Sequence, residues 1–134
     1  MIRAVPLLII PFILYNIGLT GVVDATAGDP WKTVLFSFPM MSGGVFALTL
    51  GDALIVLALV LLFVEMVKAT RTSNLSVIDH LLSTFVFVAF LVEFLLVQGA
   101  AHSVFFILMV ISLIDLLAGF SVSIRSAGRD ISIG

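Results

Sequence analysis

The sequence contains no cysteine and few charged residues, and both shortages limit what the chain can be. Without cysteine there are no disulfides, no thiolate metal sites and no thiol nucleophile, although a cysteine-free chain suits either redox compartment. Charged residues make up only 10% of the 134 residues, whereas 62% are hydrophobic, against about a quarter charged in a soluble domain. The mean hydropathy of +1.35 points the same way. This composition excludes a soluble globular domain, and no polar stretch is long enough to fold beside a membrane part. The net charge of −2 includes no basic cluster, so nucleic acid is not an expected partner.

What the chain does have is long apolar runs. About 20 helical residues cross a hydrocarbon core of roughly 30 Å, and runs of that length are expected as helices at about 4–23, 45–68, 77–97 and 103–124. The expected fold is therefore all-α: a polytopic integral membrane protein of four transmembrane helices in an antiparallel bundle, one domain over residues 1–134. In the first run Pro6 lies near the helix start, while Pro11 falls a turn or more inside and predicts a kink. A signal peptide is the rival reading, with Arg3 as its basic end and Ala25-Thr26-Ala27 as a small-x-small cleavage pattern. The length of the apolar stretch favours retention. Between residues 24 and 44 the chain is too apolar for a free linker and too interrupted for a span, so it is expected at the outer membrane surface. There Asp29 and Pro30 form a helix start and Trp31 beside Lys32 suits the headgroup level. Ser76 is the expected N-cap of the third helix. The link Gln98 to His102 is short enough to make the last two helices antiparallel neighbours, and residues 125–134 form a polar tail too short to fold alone.

Basic residues set the orientation. Arg3, Lys68, Arg71, Arg125 and Arg129 fall on one side of a four-helix arrangement and only Lys32 on the other, so the positive-inside rule puts both termini in the cytoplasm. A bacterial inner membrane is the expected location, and the lipid bilayer and other membrane helices, from copies of the chain or from different proteins, are the expected partners.

Carboxyl groups inside the runs are the candidate functional residues, because an ionised side chain near a bilayer centre is costly and is most often used for something. With each run's midpoint at the bilayer centre, Asp115 lies about 3 Å inward, Asp52 about 6 Å and Glu93 about 9 Å outward, and Asp79 and Glu65 about 12 to 14 Å inward. The last two are expected to reach water. Asp79, Ser83, Val86, Phe90 and Glu93 share one face of the third helix. Every Lys and Arg maps to a helix end or a loop, so no basic partner is expected within the bilayer. Two uses follow. Asp115, Asp52, Glu93, Ser83 and Asp79 form a proton or cation path, or the same groups act as interhelical glue, with Ser112 beside Asp115 and with small residues at Gly119 and Gly51 allowing close contact. Ala47 four before Gly51, and Gly119 four before Ser123, have the spacing for that contact.

Chemistry of other kinds finds little support. His80 and His102 lie at opposite ends of one helix and its link and cannot share a metal, so neither a metal nor a cofactor is expected. No nucleophile motif, phosphate loop or metal-binding helix motif is present, so the chain is expected not to be an enzyme. Phe85, Phe87, Phe90 and Met109 are expected to pack or face lipid. The length and helix count resemble the small multidrug-resistance transporters. That family's glutamate in the first helix has no counterpart in 4–23, so the likeness is one of architecture and carries over no residue. The leading expectation is a non-enzymatic subunit or scaffold of a membrane assembly. The alternative is a small proton- or cation-coupled transporter or channel.

Overall fold

A computed structural model describes residues 5–21, 28–70 and 74–133, with the side chains of 74–77 and 122–133 left out. Arg3, Asp24, Arg71 and the Ala25-Thr26-Ala27 pattern lie outside the described residues, as do the side chains of Ser123, Arg125 and Arg129. The elements in order are helix α1 (Ile9–Leu19), a short 3-10 turn (Pro30–Lys32), strands β1 (Val34–Pro39) and β2 (Val45–Thr49), helices α2 (Leu50–Ala69) and α3 (Asn74–Leu96), a second 3-10 turn (Gln98–Ala100) and helix α4 (Ser103–Ile133). Three helical stretches, Leu50–Ala69, Ile78–Leu96 and Ser103–Ser121, are long and apolar enough to cross a membrane.

The chain is mostly helical, but the expectation of an all-α fold is corrected by a two-stranded antiparallel hairpin. Its reason lies in the sequence 45–49, where Val, Phe and Thr favour extended backbone, and in Gly43, whose φ of 92° suits a tight reversal. Helix α2 thus starts at Leu50 and not at Val45. Thr49 caps it: its hydroxyl accepts from the Asp52 N–H at 3.1 Å while the Asp52 carboxylate accepts from the Thr49 N–H at 3.2 Å. This reciprocal pair satisfies two backbone donors at the helix start. Ala47 now belongs to a strand, so its spacing to Gly51 is not that of a helix face.

Helix α1 is also shorter than its apolar run, covering 11 residues, or about 16 Å. Pro11 therefore falls in the first turn, where its missing N–H removes no intrahelical bond, and the expected kink has no cause. At the other end α4 runs on through the supposed tail to Ile133, since 125–133 contains no proline to stop it. Ser76 falls inside α3, which begins at Asn74.

Helix α4 packs against both α2 and α3. On α2 the buried stripe is Gly51, Leu54, Ala58, Leu62 and Glu65, the steps of three and four that place residues on one helix face. On α3 Asp79, Ser83, Val86 and Phe90 are buried, the face read from the sequence, with Glu93 half-buried at its end. Phe105 of α4 is in ring contact with Phe12, Tyr15, Phe90 and Phe94. Phe85 is exposed, whereas Phe90 is in the core.

Candidate functional site

Two polar regions lie at opposite ends of the helices. At the first, which we call the cluster end, the last turn of α2 carries Glu65 and Lys68 three residues apart, a spacing that brings side chains together on a helix. Lys68 Nζ lies 3.0 Å from Glu65 Oε1 and 3.5 Å from Asp79 Oδ1 on α3. The second contact is an ion pair without hydrogen-bond geometry, since the buried Asp79 Oδ1 has no hydrogen-bond partner among the described residues. The segment before α1 closes the group. Its Leu7 N–H donates to Glu65 Oε1 at 2.8 Å and its Val5 carbonyl accepts from Lys68 Nζ at 2.9 Å. Asp115 of α4 meets the Ser83 hydroxyl and lies close enough to Glu65, Asp79 and Lys68 to feel their charges. Ser112 is buried one turn earlier.

Two expectations are corrected here. Glu65 and Asp79 do not reach water, being 2% and 8% exposed. Two of the acids, Glu65 and Asp79, do have a basic partner, Lys68 in the last turn of α2. Glu65 and Lys68 were absent from the candidate path, yet their spacing and the continuation of the stripe Leu54, Ala58, Leu62 to Glu65 were readable in the sequence.

The remaining candidates are elsewhere. Asp52 caps α2 at the far end and is exposed. Glu93 sits near the far end of α3, where it faces Asn16, and its Oε2 is buried with no hydrogen-bond partner among the described residues. The structure therefore gathers Asp115, Asp79 and Ser83 and separates them from Asp52 and Glu93. The small residues do make close contacts. A Cβ on Gly119 would run into the His80 ring, which lies over it and stacks on Phe120, and a Cβ on Gly51 would come within 2.9 Å of Val104.

At the second region, the hairpin end, Trp31 is the centre. It is 5% exposed and stacks on Tyr15 with ring centroids 4.5 Å apart. A Cβ on Gly18 would come within 2.5 Å of the indole. Trp31 is thus a core residue and not a headgroup anchor. Asp29 caps the 3-10 turn as expected, accepting from the Trp31 N–H at 3.0 Å, and its other oxygen lies 2.8 Å from His102 Nε2. The Tyr15 hydroxyl donates to the Gly99 carbonyl at 2.8 Å. Partial burial alone would raise the Asp29 carboxyl. The hydrogen bonds from His102 and Trp31, with the nearby charge of Lys32, outweigh it and hold the group below the usual carboxylate range.

Among the described residues no group of three His, Asp or Glu is placed to hold a metal ion. Comparison of the chain with protein-family models, curated proteins and solved structures finds no match.

Proposed function

We propose that the chain is a non-enzymatic subunit or scaffold of a larger membrane assembly, built as four crossings with both termini on the cytoplasmic side. The observation that carries this reading is how the buried polar groups are used. Glu65, Lys68, Asp79, Ser83 and Asp115 face one another across α2, α3 and α4, which ties the helices and leaves Asp52 and Glu93 out of any continuous path. The fourth crossing would be made by α1 with the segment before it, since Leu7 lies against Glu65 at one end while Gly18 lies against Trp31, beside Gly51, at the other; the 11-residue helix is too short to cross alone. Partners would be helices of a second copy or of another membrane protein, because association in lipid relies on packing and hydrogen bonds and not on extramembrane mass. Mass measurement after purification in mild detergent is expected to show an oligomer or a co-purifying membrane protein. A clean monomer contradicts the proposal.

A second reading, proton- or cation-coupled transport centred on Asp115, is favoured by one observation. Among the described side chains, Lys68 is the one ammonium near Glu65, Asp79 and Asp115, and a buried group with an excess of negative charge has to hold a proton or a cation. Asp115→Asn keeps shape and hydrogen bonding. Under transport it abolishes flux across reconstituted vesicles while assembly survives, and under the scaffold reading wild type and variant behave alike, with no flux in either.

A further inference from the structure

The hairpin β1–β2 exposes a row of large apolar side chains. Thr33 to Gly51 contains no Asp, Glu, Lys or Arg, and Phe36, Phe38, Met40, Met41, Val45 and Phe46 are all exposed. The two faces differ. Residues opposite each other across the ladder share a face, so the pairs Phe36↔Leu48 and Phe38↔Phe46 make one face and Ser37↔Ala47 and Pro39↔Val45 the other. Phe36, Phe38 and Phe46 lie with ring centroids 5.5 to 6.1 Å apart. One face is thus aromatic and the other is built of smaller residues.

The edges fix how deep such a sheet can go. The Met40 N–H donates to the Gly44 carbonyl at 2.7 Å, and the inward bonds of an antiparallel pair alternate from there, which turns the backbone groups of Val45 and Ala47 outward on β2 and those of Ser37 and Pro39 outward on β1. An open edge of this kind is not tolerated in hydrocarbon, where nothing answers its N–H and C=O groups. Water and headgroups answer them at the interface. The hairpin is also continuous with α2, whose outward side chains Val56, Leu59, Val60 and Phe63 are exposed in the stretch long enough to cross.

We propose that the hairpin lies flat on the bilayer interface next to α2, with the Phe36, Phe38 and Phe46 face in the lipid and the Ser37 and Ala47 face in water. It rests on α2 crossing the bilayer and not on the assembly role, so either can fail alone.

The absence of cysteine makes the test direct, since each introduced cysteine is the only thiol. Spin labels at Phe38→Cys, Phe46→Cys, Ser37→Cys and Ala47→Cys are placed in full-length protein reconstituted into phosphatidylcholine and phosphatidylglycerol vesicles. Collisions with oxygen, which partitions into lipid, are compared with those of a water-soluble nickel chelate. The expected result alternates with a period of two: oxygen dominates at 38 and 46, nickel at 37 and 47. Nickel dominating at all four positions overturns the proposal in favour of a hairpin standing in water. Protection from both reagents at 38 and 46 overturns it in favour of a protein, such as a second copy, covering that face. Should the Phe→Cys variants fail to fold, Phe36→Trp carries the test. Quenching of its emission by acyl-brominated lipid, above that of Trp31 alone, is expected, and no added quenching overturns the proposal.

Discussion

The two ends of the helices are held together by different forces. At the cluster end a charged group closes the structure: one ammonium bridges carboxylates of α2 and α3, and the backbone of the segment before α1 completes it. At the hairpin end the closure is mostly one of shape, with a buried indole between Tyr15, Gly18 and Gly51 and with neutral or partly exposed hydrogen bonds around it. Charge at one end and shape at the other fail in different ways. Removing one member of a buried ion pair leaves an uncompensated charge, which costs more than the pair contributes. Filling a glycine contact costs only what the neighbours cannot yield.

The largest effect is therefore expected at Lys68. Lys68→Met removes the ammonium that pairs with Glu65 and Asp79 and should destabilise by about 3 to 5 kcal/mol, read from unfolding in mixed micelles. Replacing both members of the closest pair, Glu65→Gln with Lys68→Met, should recover part of the loss, and a double variant as unstable as the single one would show that charge is not what matters there.

Next come the glycine contacts. Gly18→Val has to move the Trp31 ring and is expected to cost about 1 to 3 kcal/mol. Gly119→Ala, at the other end, displaces the His80 ring of α3 from its place over Gly119 and against Phe120 and should fall in the same range. If Gly18→Val is neutral, the indole is not the wedge that closes the hairpin end. Tyr15→Phe removes only the hydroxyl that donates to the Gly99 carbonyl and should cost about 1 kcal/mol.

The smallest effect is one of pH. Since the Asp29 carboxyl is held below its ordinary value in the folded chain, the stability it adds is present above the ordinary carboxylate range and is lost as pH falls through the lowered value. Asp29→Asn keeps a capping oxygen but not the charge. Melting curves of wild type and variant should differ slightly at neutral pH and converge in acid, and a difference that widens in acid contradicts the sign.

Much of this was legible in the sequence and some was not. The presence and order of α2, α3 and α4 could be read because an apolar run announces a span without help from distant residues, although their ends could not, since α2 starts at Leu50 and α4 runs on to Ile133; the buried face of α3 followed from its steps of three and four. The hairpin was hidden by the same counting: residues 45–49 are as apolar as the helix they precede, so hydropathy ran straight through the strand. The local signals were nevertheless there, in Gly43-Gly44 and in the Thr49 to Asp52 capping spacing, and they would have moved Asp52 from the candidate path to a helix start. Lys68 was legible too, three residues from Glu65. The pairing of Asp29 with His102 was not, because 73 residues separate them and nothing local marks either as the other's partner.

The claim that most depends on the structure is that Lys68 joins α2 to α3 through Asp79, and a double-mutant cycle tests it directly. Unfolding free energies of wild type, Lys68→Met, Asp79→Asn and the double variant isolate the coupling between the two side chains. A coupling of about 0.5 to 3 kcal/mol is the expected result for residues in one ion-pair network. Additive effects of the two substitutions would contradict the account, because Lys68 would then serve Glu65 on its own helix and leave the contact between the helices to packing alone.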